Sequence, residues 1–158
     1  MRSTGRHVNT PRRHTTRRHR GGWLALALVA LLVIVACGDT GEPLDDTTWR
    51  PTDLGGVPVL EASNAFVSFG ADATLNGSTG CNSFSGGWST DGGDGGIEIL
   101  TGAMTLAACA TDELQEQETA FLGALNAALF YERNGGNLTL LDGDKDKLAE
   151  LTEASVDE

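Results

Sequence analysis

Residues 111–129, TDELQEQETAFLGALNAAL, are the one part of this chain with a helical period. Leu114, Phe121, Leu122, Leu125 and Leu129 stand at offsets 0, 7, 8, 11 and 15, so they share one face of an α-helix. Asp112 followed by Gln115 has the spacing of a capping box, and acidic residues at the start suit the positive end of the helix dipole. A single helix of this length inside an otherwise strand-like chain predicts an α+β protein.

The strand signals lie on both sides of it. Residues 47–50, 57–60, 65–69, 73–75, 84–89 and 97–100 are short, rich in β-branched and aromatic residues, and punctuated by Gly, Asn and Asp. Asn76-Gly77 is a strong hairpin dipeptide and is expected to end the strand 73–75. Residues 91–96 form a glycine-rich loop. Beyond the helix, 138–141 and 147–151 read as a closing hairpin around Asp142-Gly143. Strands, one helix and two more strands predict a compact antiparallel sheet or partial barrel with one helix packed on it. No internal repeat is present. About 120 residues can bury roughly 65% of their unfolded surface, enough for one core.

The chain has 158 residues and a formal charge of −11. Seven of its eleven basic residues and all three histidines precede Cys37, whereas no acidic residue comes before Asp39. Without the first 36 residues, 4 basic residues face 22 acidic ones, a charge of −18. Such a domain is a poor nucleic-acid binder, because phosphate recognition needs clustered Lys and Arg. Lacking histidine, it hosts neither a Ser-His-Asp or Cys-His nucleophile nor a His-ligated metal.

Residues 1–36 have the three parts of a secretory signal. A basic stretch, 1–20, precedes thirteen uncharged apolar residues, 23–35 (WLALALVALLVIV). A spanning helix needs about 20 such residues, so an export signal is the better reading. Ile34-Val35-Ala36-Cys37 then resembles the bacterial lipobox. Cleavage is expected before Cys37, whose thiol would receive diacylglycerol and supply the chains that stable anchoring requires. The pairs Arg12-Arg13 and Arg17-Arg18 lack the following residues of a twin-arginine signal, which leaves the general secretory route. The expected organisation is a signal peptide at 1–36, a polar tether at 37–46, a domain at 47–153 and an acidic tail at 154–158.

Thr48-Trp49, the stretch Gly80-Cys81-Asn82-Ser83-Phe84-Ser85-Gly86, Met104-Thr105 with Cys109, Glu118 with Phe121 and Leu125, and Leu138-Thr139-Leu140 resemble, in order and spacing, the META domain, or HslJ-like, family from about 46 to 151. The Gly-Cys-Asn-x-Phe-x-Gly stretch is the most specific part. Ala107-Ala108, Ala110-Thr111 and the glycine-heavy 91–96 loop are mild departures. The resemblance implies a β-rich fold with one helix across the sheet. It also implies a small bacterial envelope protein, often a lipoprotein, in a family that includes heat-shock and drug-tolerance proteins and has no agreed reaction.

Cys81 and Cys109 are the thiols besides Cys37. In an oxidising compartment they are expected to form a disulfide, the alternatives being two separate buried thiols or a reactive thiol site, for which neither has a His partner or a Lys or Arg near it in sequence. Two Cys without His do not make an expected zinc site. Asp142, Asp144, Asp146, Glu150 and Glu153 have calcium-loop spacing, but Lys147 stands where the sharp turn needs Gly, so an acidic hairpin tip over 142–150 is the plainer reading. Gly80 and Asn82 are expected to serve a tight turn. Trp49 and Trp88 are expected in the core. Glu118, beside the helix's apolar stripe, is expected to be partly buried, with Arg50 and Arg133 the arginines left to meet it.

Three functions follow from these readings. The leading one is a non-enzymatic envelope protein, membrane-anchored through Cys37, that binds an envelope protein or ligand or confers stress tolerance, with no cofactor. The second is a divalent-cation or cationic-ligand binder. The third is a carboxylate-dependent hydrolase, the one hydrolytic chemistry that needs no His.

Overall fold

The computed structural model describes residues 42–57, 59–91 and 95–154. The expected signal peptide, Cys37, half of the expected tether and most of the expected acidic tail lie outside the described residues. Among the described residues eight antiparallel strands form one sheet: β1 (Thr47–Asp53), β2 (Phe66–Phe69), β3 (Thr74–Ser78), β4 (Ser83–Thr90), β5 (Ile97–Met104), β6 (Phe130–Asn134), β7 (Asn137–Leu141) and β8 (Lys147–Glu153). Helix α1 (Asp112–Ala127) interrupts them after β5.

The strand order is β5-β4-β3-β2-β1-β8-β7-β6. Five strands meander in one direction, three return in the other, and the β1–β8 pair joins the two runs. The outer strands approach each other at one end. Gly96 bridges Phe130, Ile97 N–H donates to the Leu129 carbonyl at 3.0 Å, and Tyr131 N–H donates to the Gly95 carbonyl at 2.8 Å. The sheet is therefore a half-barrel, and α1 packs against β5, β7 and β8.

Alternation along the strands directs Trp49, Val67, Phe69, Leu75, Phe84, Trp88, Ile97, Ile99, Leu138, Leu140, Ala149 and Leu151 into one core with Phe121 and Leu125 of the helix. Trp49 and Trp88 are buried, and Trp88 meets Phe69 edge-on at 5.1 Å.

Several sequence expectations change. The helix spans Asp112–Ala127 rather than 111–129, and Leu129 is 54% exposed beyond its end. The N-cap is Thr111, not Asp112: its hydroxyl accepts from Leu114 N–H at 3.2 Å. The Glu113 carboxyl is held below its ordinary value by its own backbone N–H and by the Thr111 hydroxyl. Thr111→Ala should cost about 1 kcal/mol, read as a shift in urea midpoint.

Val57, Val59 and Leu60 lie in no strand, against the expectation for 57–60. Val57 only bridges Leu54, and the chain then turns through a short 3-10 segment, Glu61–Ser63. Asn76-Gly77 does not turn; it lies inside β3, paired with Ser85 and Phe84. A Cβ on Gly77 would overlap the Phe84 ring and sit 2.6 Å from the Phe66 carbonyl oxygen. Glycine is there to let an aromatic ring cross the strand, and that packing overrides the dipeptide's turn preference. Three strands follow the helix rather than two, because Phe130–Asn134 pairs with Asn137–Leu141 around Gly135-Gly136. Lastly, Glu42–Asp46, expected as tether, is held against the domain. Leu44 is 1% exposed, and Thr47 N–H and hydroxyl both bond its carbonyl.

Candidate functional site

The most specific stretch of the sequence, 80–86, forms the β3–β4 turn and the start of β4. Thr79 and Asn82 close the turn: Thr79 N–H donates to the Asn82 carbonyl at 2.8 Å, and Asn82 N–H donates to the Thr79 hydroxyl at 2.9 Å. Gly80 has φ +90°, and a Cβ there would lie 2.6 Å from both Cβ and O of Ser63, so conformation and crowding both require glycine.

The turn is fastened to the helix. Asn82 and Glu118 are both buried. Asn82 Nδ2 reaches the Ala107 carbonyl at 3.1 Å and the Glu118 carboxyl oxygens at 3.0 and 3.2 Å. Its Oδ1 accepts from the Thr105 hydroxyl and from Ala107 N–H, both at 2.8 Å. Thr79 hydroxyl donates to Glu118 Oε2 at 2.6 Å. Next to Glu118, the fully buried Gln117 accepts from Leu60 N–H at 2.7 Å and donates to the Thr79 carbonyl at 2.8 Å. A disulfide, Cys81–Cys109, joins the turn to the segment leading into the helix, with the Cα atoms 5.3 Å apart. The buried side chains of this joint, Thr79, Asn82, Gln117 and Glu118, thus all find partners, as burial demands.

Glu118 meets neither arginine expected for it; neutral donors from a turn 36–39 residues away hold it instead. Arg133 serves elsewhere. It pairs with Glu153 at 3.2 Å and Glu42 at 3.5 Å, donates to the Pro43 carbonyl, and lies 5.1 Å from the Trp49 ring centroid. Tyr131 hydroxyl donates to the Glu42 carbonyl at 3.1 Å, and burial pushes its phenol above its ordinary value, with Arg133 opposing. Together these two side chains strap residues 42–44 onto β6.

Arg50 makes no ion pair among the described residues. It lines a groove of about 290 Å³ between the outer part of β1 and residues 59–65, with Thr52, Leu60, Ser63 and Asn64. In the acidic hairpin, Asp142 turns its Oδ1 onto the backbone N–H groups of Asp144 and Asp146, each at 2.9 Å. Lys147 pairs with Glu150 at 3.1 Å and Asp53 at 3.5 Å. The calcium-like spacing is therefore used by a turn. The sequence points to Asn82, Glu118 and the cysteines but not to Thr79, Gln117 or Tyr131, and it pairs Arg133 with Glu118 where the structure pairs it with Glu153 and Glu42. A Gln beside Glu118 at the centre of the helix's apolar stripe was the local sign of a buried polar contact.

The fold is similar to that of a DUF4847 family protein from Bacteroides vulgatus ATCC 8482, with TM-score 0.53 and 21% identity, covering 72% of this chain and 96% of that one. It is also similar to a protein of known NMR structure, with TM-score 0.56 and 23% identity over 73% and 95% of the two chains. No curated protein matches the sequence. The family model for the META domain matches residues 42–155, the same stretch that begins at the strapped Glu42 and carries the turn, the disulfide and the helix. This chain belongs to the META domain family.

Proposed function

We propose that the protein is a lipid-anchored envelope META-domain protein that acts by binding, in a stress-tolerance or assembly role, and not by catalysis. The observation that carries this reading is the use of the motif's polar groups. Thr79, Asn82, Gln117 and Glu118 bond one another and backbone groups of the described residues. A general acid or nucleophile has to reach a substrate. The groove at Arg50 is open instead, and Arg50 is a cation free to meet an acidic group on a partner.

The anchor reading rests on the lipobox-like Ile34-Val35-Ala36-Cys37 after thirteen apolar residues. The strap sets the reach of the domain from such an anchor. With the fold starting at Glu42, five residue steps separate it from Cys37, roughly 17 Å of extended chain. The domain would be held close above the bilayer.

Labelling cells with a palmitate analogue tests the anchor. The full-length chain should take up label, and Cys37→Ser should lose it and accumulate as precursor. A mature, unlipidated N-terminus at any other residue would refute the anchor. For the binding role, envelope extract passed over the wild-type protein should yield a specific partner that Arg50→Ala fails to retain. Equal retention by both would move the binding surface away from the groove.

A further inference from the structure

We propose that Cys81, Cys109 and Glu118 form a redox-gated site for a divalent metal ion of the zinc class, closed while the disulfide stands and opened by a dithiol reductant. Their donor atoms all lie within 4.8 Å of one another. Glu118 Oε1 is 4.0 Å from Cys109 Sγ. The Thr79 hydroxyl holds Oε2 at 2.6 Å, and Oε1, which accepts from Asn82 Nδ2 at 3.2 Å, is the oxygen that reaches Cys109 Sγ. Asn82 Nδ2, 3.3 Å from Cys81 Sγ and 3.0 Å from Glu118 Oε2, spans the two sides of the cluster and fixes their separation.

Sequence alone counts two Cys and no His and expects no zinc. The fold supplies the third donor from the helix, and that donor is 6% exposed with no cation beside it among the described residues. Tetrahedral coordination with metal–sulfur distances near 2.3 Å places two thiolates roughly 3.8 Å apart. The sulfurs would have to separate by under about 2 Å from the usual bonded distance. Cys81 and Cys109 are half-buried, so a fourth position is open to water and the bond is open to a reductant.

The steps balance. A dithiol gives two electrons and two protons to the Cys81–Cys109 bond, which breaks to two thiols as the reductant closes its own disulfide. Metal binding then releases the two thiol protons to solvent. Two thiolates and one carboxylate meet a dication, for a net charge of −1. Bonded sulfurs are poor donors by comparison, so the oxidised site stays shut. Borderline-soft ions suit such a mixed sulfur and oxygen set.

The test uses the full-length protein in mild detergent, with Co²⁺ alone as the probe and circular dichroism to follow the fold. After reduction by a phosphine, the protein should bind one Co²⁺ per chain, with a thiolate-to-cobalt charge-transfer band, at least tenfold more tightly than the oxidised protein. Co²⁺ should raise the melting temperature of the reduced form and leave that of the oxidised form unchanged. Cys81→Ser should abolish the band, and Glu118→Gln should weaken binding at least tenfold. Equal Co²⁺ binding by reduced and oxidised protein would overturn the proposal. So would a Glu118→Gln protein that binds like the parent, or a reduced chain that loses its native spectrum and does not regain it with Co²⁺.

Discussion

Phe121→Ala should destabilise the domain by about 3–5 kcal/mol, the range for truncating a fully buried aromatic residue. Phe121 is 0% exposed and meets Phe84 edge-on with ring centroids 6.3 Å apart. Phe84 in turn lies across Gly77 of β3, so three consecutive layers (helix, β4 ring, β3 backbone) rest on one another. The cavity left by truncation has rigid backbone on one side and cannot collapse readily. Glu116, on the exposed face of the same helix, should cost less than about 0.5 kcal/mol when replaced by Ala. Urea unfolding read by circular dichroism checks both, with an unchanged m-value expected. Equal effects at the two positions would mean that the helix packs through another face.

Loss of the Cys81–Cys109 bond should cost roughly 3–4 kcal/mol. The bond closes a loop of sequence separation 28, and removing it restores that loop's freedom to the unfolded chain. The double variant Cys81→Ser, Cys109→Ser should therefore unfold at lower urea while keeping the native circular dichroism spectrum. Titrating thiols in the unfolded, unreduced chain tests the bond itself. No thiol beyond Cys37 should react, and two more would return the cysteines to the separate-thiol alternative.

What the sequence revealed was governed by local rules. The 3.6-residue spacing of Phe121 and Leu125 located the helix and its buried face, and strand composition placed most of the sheet. Failures came where distant contacts decide. Asn76-Gly77 has turn chemistry, yet the Phe84 ring claims Gly77 for β3. β6, FYERN, carries Glu132, Arg133 and Asn134 and has no apolar alternation, because Arg133 faces the strap at Glu42 rather than solvent. Glu118 was expected to meet a cation, since charge pairing is the usual remedy for burial. Neutral donors from Thr79 and Asn82 replace it, and nothing near Glu118 in sequence announces a turn 36–39 residues upstream.

The central claim is that the Gly-Cys-Asn stretch is a joint fastening the sheet to the helix, rather than a catalytic site. A double-mutant cycle on Asn82→Ala and Glu118→Gln, measured by urea unfolding, tests it most directly. Two groups in one buried hydrogen-bonded network should show a coupling of about 1–3 kcal/mol, the double variant losing less than the two single losses together. Additivity to within about 0.5 kcal/mol would contradict the account, because the two residues would then stabilise the domain independently.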